Sequence, residues 1–300
     1  MKARVWALIA ATTASAIYGA NHTLAKGLMP TVIKPYGFIL LRVLGAAILF
    51  WGISVFYAKE RIAKQDWGRV FLCALFGMAV NMNMFFKGLS FSTPINSSVV
   101  ITLTPVLLLV LTAVLLKERI SVQKALGIFL GLGGALLLIL FGAKTQPNAP
   151  NIPLGNLLFV VNATSYALYL VLVKPLVAKY NTITLMKVFF LLAVLINLPI
   201  GYSEFIQVSW TNLSFNEVWK LIFVVVGTTF LTYLFNLYAL KQLSPSTIGA
   251  FIYLQPVLAV IIAVVLGADA LTPIRIIGAI LIFSGVYLST RKPKVAQRPV

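Results

Sequence analysis

The amino-acid sequence is divided into apolar runs, many of about 20 residues, the length an α-helix needs to cross the hydrocarbon core of a bilayer. Ten such runs can be drawn, at 5–25, 36–57, 68–88, 94–116, 123–143, 154–176, 181–201, 218–240, 245–267 and 273–290. The links between them are short and polar or carry proline, and none can hold a separate soluble domain. A water-soluble surface needs charged residues at roughly 25%. This chain has 10%, against 60% hydrophobic residues and a mean hydropathy of +0.99. The expected fold is an all-α polytopic membrane protein of ten transmembrane helices. The basic start, Met1 to Arg4, leads straight into an apolar run that is too long for a cleaved signal, so it is read as a retained first helix.

A net charge of +18 would point to nucleic acid if the basic residues formed one face. They are instead scattered over short loops. With the N-terminus inside, 17 of the 24 Lys and Arg fall on the cytoplasmic side, 6 on the outer side, and Arg42 lies within a span. Positive loops stay inside. Both termini are therefore expected in the cytoplasm of a cell whose inner membrane holds the chain. The bilayer and a small molecule are the expected partners, nucleic acid is not one, and a monomer is the expected state. The lone Cys73 leaves no intrachain disulfide and no multi-cysteine metal cage. No cofactor and no metal site are expected.

Sliding the sequence over itself by 151 positions lays helices 3–5 on helices 8–10 without a gap. Pro94 meets Pro245, Pro105-Val106-Leu107 meets Pro256-Val257-Leu258, and Glu118 meets Asp269. Gly127 meets Gly278, Gly134 meets Gly285, and Tyr18 meets Tyr169. A shift of 145 lays Leu40 to Val43 over Leu185 to Val188. Residues 1–148 and 149–300 are thus two five-helix repeats. An odd number of spans turns the second upside down, giving two inverted five-helix repeats (5+5). Such a pair is a transporter architecture, with the solute held near the midplane between the repeats.

The stretch TPVLLLVLTAVLLKERIS (Thr104 to Ser121), its partner QPVLAVIIAVVLGADALT (Gln255 to Thr272) and LLRVLGAAILF (Leu40 to Phe50) together resemble the ten-helix EamA-type exporters of the drug/metabolite transporter superfamily. The family's Gly-Glu-Arg element is Lys117-Glu118-Arg119 here and Ala268-Asp269-Ala270 in the second repeat. The resemblance covers nearly the whole chain and implies the 5+5 fold and export. It leaves the cargo open among amino acids, nucleosides, sugars and drugs.

Polar groups are costly in a bilayer, so a polar stripe on a helix points to a shared cavity. Asn162, Tyr166 and Tyr169 make one stripe in helix 6, and Thr229, Thr232, Tyr233 and Asn236 make another in helix 8. Tyr18, Asn81, Thr102, Tyr253 and Gln255 complete the expected substrate contacts, with Asn162, Tyr166, Tyr169, Thr232 and Tyr233. Pro105 and Pro256 are expected to kink helices 4 and 9. The plainer reading suits other residues better. Ser15, Thr104 and Thr228 are expected to satisfy helix backbone or join helices. His22 is expected to be hydrogen-bonded only. Arg42 and Lys187 are expected to extend to headgroups by snorkelling, with a gate or substrate-carboxylate role as the alternative.

The resemblance implies export, and the tyrosines, threonines and amides suit small amphipathic metabolites such as amino acids, so a secondary exporter of such solutes is expected. The alternatives are a membrane-embedded transferase or a channel-like facilitator. One His and six acidic residues supply no catalytic constellation, and no Walker motif is present for ATP-driven pumping. The charge bias carries a prediction: reporters fused after Val300 and inserted near Glu60 should both read cytoplasmic. A periplasmic signal at either position would overturn the orientation.

Overall fold

The computed structural model describes residues 2–26, 28–29, 31–57, 59–92, 97, 100–117, 120–142, 151–255, 257–258 and 273–290. Among them there is no strand, and ten helical segments carry the fold. These are α1 (Lys2–Lys26), α2 (Pro35–Ser54), α3 (Lys64–Phe91), α4 (Thr104–Leu115), α5 (Val122–Gly142) and α6 (Ile152–Lys179). They continue with α7 (Thr182–Ile206), α8 (Phe215–Gln242), α9 (Pro245–Phe251) and α10 (Pro273–Thr290). Five of them, α2, α3, α6, α7 and α8, are long and apolar enough to cross a membrane whole. The expected boundary at 148/149, Pro256 and the acidic pair Glu118 and Asp269 lie outside the described residues.

The helices overrun the runs of apolar residues. α6 continues through Pro175 to Lys179, and α7 through Pro199 to Ile206. Proline inside a membrane helix is tolerated where packed neighbours satisfy the freed backbone. The link expected from Tyr202 is accordingly helical at its start.

The packing is organised around two helix pairs, α2 with α7 and α5 with α10. Each pair joins a helix to its counterpart in the other repeat and runs antiparallel. At the α5–α10 crossing a Cβ on Gly127 would lie 2.7 Å from the Gly285 carbonyl oxygen, and one on Gly134 would lie 2.8 Å from that of Gly278. Gly127 corresponds to Gly278 and Gly134 to Gly285, so each contact is the other with its partners exchanged. This reciprocity marks a two-fold axis between the helices. It places the second repeat upside down relative to the first. Flanking contacts follow the same exchange, with α1 on α8 and α6 on α3.

The α2–α7 pair is tied at both ends by acids. The Tyr36 and Gly37 amides donate to Glu204 Oε2 at 2.7 and 3.0 Å. At the far end the Asn181 amide donates to Glu60 Oε2 at 2.9 Å. Tyr36 and Asn181 correspond under the 145-residue shift. Each member of the pair therefore supplies the carboxylate that caps the other's start, Glu204 from the last turn of α7 and Glu60 from the segment that follows α2. The first amides of a helix have no partner within it, and the helix dipole favours an anion there. Beside Asn181, Asp66 receives Lys179 Nζ and the Tyr180 hydroxyl, each at 2.5 Å, which joins the start of α3 to the α6–α7 turn.

Two departures from α-helix geometry also correspond. α3 carries a π segment at Leu75–Val80 and α8 one at Phe223–Leu231, and Leu75 and Val80 map onto Val226 and Leu231. π turns inside α-helices are often found at functional sites.

The α5–α10 crossing gives the stability prediction. Gly285→Val would put a side chain against the backbone of Gly127 and Gly131, 2.5 and 2.6 Å from the new Cβ, where neither neighbour can yield. It should cost about 1–3 kcal/mol in detergent unfolding. Gly133→Val, whose Cβ meets nothing within 4 Å, should leave the transition unchanged.

Candidate functional site

Among the described residues, one cavity lies at the centre of the bundle, between the α2–α7 pair and the broken ends of α4 and α9. It offers about 110 Å³ of accessible space. A single water needs about 10–15 Å³ on that measure, so there is room for several waters or a small solute. Both repeats contribute walls: α1, α2 and α3 from the first, and α6, α8 and the end of α9 from the second.

The breaks next to the cavity occur in corresponding places. The chain turns at Thr102–Leu103 before α4 and at Ile252–Tyr253 after α9. Tight turn bonds replace the α-helical ladder there, Leu103 N to Val100 O at 3.0 Å and Ile252 N to Gly249 O at 3.0 Å. Pro105 stands in the first turn of α4, where a missing amide costs nothing. Discontinuous helices at the midplane are how transporter repeats expose polar backbone to a solute.

The side chains form a polar layer on an aromatic frame. Asn81 and Asn162 clasp α3 to α6, each side-chain amide donating to the other's carbonyl, at 3.2 and 2.8 Å. Tyr166 accepts from Asn236 Nδ2 at 3.2 Å, and its hydroxyl also lies in hydrogen-bonding reach of Tyr18. The Tyr233 hydroxyl donates to the Gly77 carbonyl, in the π segment of α3, at 2.8 Å. Tyr169 stacks obliquely between Tyr166 and Tyr233, with ring centroids 5.9 and 6.2 Å away.

Six of the ten expected contacts line the cavity: Tyr18, Asn81, Asn162, Tyr166, Tyr233 and Gln255. The other four stand behind its wall. Tyr169 is fully buried, its ring over Gly77, where a Cβ would lie 2.6 Å from it. Tyr253 is fully buried over Gly131. Thr232 turns its hydroxyl back to the Thr228 carbonyl at 2.5 Å, and Thr102 is buried in the turn before α4. A stripe on a helix wheel is wider than the strip that reaches a cavity, so it cannot separate Tyr166 from Tyr169.

Arg42 and Lys187 share one explanation in the sequence and take different places in the structure. Lys187 is half-buried, its Nζ 5.3 Å from the Trp51 ring centre at the rim. Arg42 turns inward, is 4% exposed and lines the cavity. Its Nε donates to Thr229 Oγ1 at 2.9 Å, and the guanidinium lies over the Phe86 ring at 5.0 Å. Thr229 can accept because its own hydroxyl donates to Val224 O at 2.8 Å, within the second π segment. Asn21, on the cavity wall and bonded to Thr228 at 3.1 Å, carried no sequence signal beyond being an amide in a span. Ser15 and Thr104 also line the cavity, Ser15 donating to the Phe251 carbonyl at 2.9 Å.

The EamA-like transporter family model matches the chain twice, over residues 5–140 and 153–291. This chain belongs to the EamA-like transporter family. Within that family it is similar to an uncharacterised transporter of Archaeoglobus fulgidus, 29% identical over 88% of this chain and 90% of the relative. The transporter YetK of Bacillus subtilis is 22% identical over 98% of this chain and 89% of its own length. A WAT1-related protein of Arabidopsis thaliana is 22% identical, covering 95% and 81%. A solved crystal structure superposes with a TM-score of 0.77 over 95% of this chain and 96% of the other, at 19% identity, which speaks for the fold alone. The EamA-like protein is thus a multi-pass membrane transporter, and the two family matches coincide with the two helix sets whose contacts exchange across the α5–α10 axis.

The hydroxyl of Tyr233 is already committed to Gly77, so only its ring is left to meet a solute. Tyr233→Phe should lower stability by about 0.5–1.5 kcal/mol, read as a fall in melting temperature. The half-saturating concentration of any transported solute should stay unchanged in the same preparation.

Proposed function

We propose that the chain is a secondary transporter that exports small amphipathic metabolites, amino acids or similar solutes, across the inner membrane by alternating access. The observation that carries this reading is a polar, aromatic-framed cavity walled by helices of both repeats and flanked by the two broken helices. Tyr18, Asn81, Asn162, Tyr166, Tyr233 and Gln255 are the proposed cargo contacts. Tyr169, Thr232, Thr102 and Tyr253 hold them in place from behind. Residues 1–148 and 149–300 are the bodies proposed to rock, within a single chain and with both termini in the cytoplasm.

The acid caps fit such a motion. One sits at each end of the α2–α7 pair, so parting the repeats at one end need break only the cap at that end. The energy at stake is that of a charge-assisted hydrogen bond, about 1.5–3 kcal/mol, small enough to exchange thermally.

Tyr166 tests the site. Its ring borders the cavity, whereas that of Tyr169 is sealed behind it. In vesicles containing the purified protein, Tyr166→Ala should raise the half-saturating concentration about ten-fold, which is 1.4 kcal/mol, with little loss of melting temperature. Tyr169→Ala should do the reverse. An unchanged half-saturation at both positions would move the site to Thr102, Tyr253 and Gln255. Uptake that never saturates would point to a facilitator.

A further inference from the structure

The cavity holds a charge that none of the described residues neutralises. Arg42 sits on its wall at 4% exposure, in the middle of a span. A guanidinium has five N–H donors. Among the described residues only Nε has a hydrogen-bond partner, the neutral Thr229, and the only other contact is the Phe86 ring. Among the described residues the titratable groups that act on it are the phenols of Tyr233 and Tyr18, which are neutral near pH 7. Among the described residues no Asp or Glu lies on the cavity wall. The four acids among the described residues stand elsewhere: Glu60 and Glu204 cap helices, Asp66 pairs with Lys179, and Glu217 caps the start of α8.

A charge taken out of water without a partner costs several kcal/mol, and in membrane helices such residues pair with one another or mark the path of a solute. We propose that the partner is the cargo itself: the cavity selects a small organic carboxylate with an apolar body. Its carboxylate would face the Nη donors, in the geometry a guanidinium fork favours. Its apolar body would lie against Met82, Phe85, Ile248 and Phe251. Among the described residues the wall offers nothing anionic to receive an ammonium group, so amines that lack a carboxylate are disfavoured. This assignment rests on the cavity being the cargo site.

The test uses the full chain purified in detergent and four probes at equal ionic strength: phenylacetate, 2-phenylethanol, phenethylamine and acetate. The first three share a ring and differ in the charge of the head, while the last is the anion without the ring. Phenylacetate should raise the melting temperature at a concentration at least ten-fold lower than each of the others. Arg42→Gln should abolish that preference. Equal stabilisation by the amine or the alcohol, acetate as effective as phenylacetate, or no effect of phenylacetate would each overturn the proposal, as would an Arg42→Gln protein that keeps the preference. If Arg42→Gln does not fold, the probe series on the unmodified protein decides alone. Tyr166→Ala in the same assay separates the two readings. Equal binding of amine, alcohol and acid, all weakened by Tyr166→Ala, sinks the carboxylate assignment and leaves the cavity as cargo site. A phenylacetate effect untouched by Tyr166→Ala removes the cavity reading and the assignment with it.

Discussion

Everything in this molecule follows from having no water in the bilayer core to take up a backbone amide or carbonyl. Each such group must find its partner inside the protein, which is why the described chain is helical from end to end. The instructive places are those where the helical ladder lapses. They are the π segments of α3 and α8, the turns at Thr102–Leu103 and Ile252–Tyr253, and the starts of α2 and α7. In the π segments and at the helix starts a named group fills the gap. Tyr233 reaches Gly77, the Thr229 hydroxyl reaches Val224, Glu204 serves the start of α2, and Glu60 serves the start of α7. The lapses occur in corresponding pairs, and both turns adjoin the same cavity, through Ile101, Thr104 and Ile252.

The second constraint is close packing without a hydrophobic drive. Lipid tails are as apolar as leucine, so membrane helices gain by approaching closely over small residues. The glycines of α5 and α10 do this at a crossing where backbone meets backbone. The aromatic rings occupy the opposite role. Phe50, Phe190, Tyr233 and Tyr169 form a chain of ring contacts 4.5 to 6.4 Å apart with their neighbours, filling the volume between α2, α6, α7 and α8. That filling fixes the polar layer in front of it.

Much of this was legible in the sequence, and the reason is periodicity. Ten spans follow from apolar run length, and Gly127, Gly134, Gly278 and Gly285 in one register announce the repeat before any contact is seen. The site was legible only to the level of a helix face. Asn162 and Tyr166 sit on the cavity while Tyr169, on the same stripe, sits behind it, because three residues of helix turn the side chain by about 60° from a full revolution. The π segments were hidden, since no residue type encodes them. Arg42 shows the limit most clearly. Its charge in a span was visible, but whether it reaches outward like Lys187 or inward depends on Thr229 being freed by a turn geometry that the sequence does not spell.

The exchanged acid caps carry a consequence for how such a protein can be divided. Glu60 belongs to the segment before α3 but finishes α7, and Glu204 belongs to the last turn of α7 but finishes α2. On this count neither half is chemically complete. A five-helix piece inserted by itself would leave the opening amides of its second helix bare and its own carboxylate without a donor. A second piece lying the same way up would repeat the deficit, since the acid would stand at the wrong end. Only a piece threaded through the bilayer in the opposite sense brings each carboxylate to the amides that lack one. The two segments are thus made interdependent by opposite insertion, which a covalent link between them guarantees but does not create.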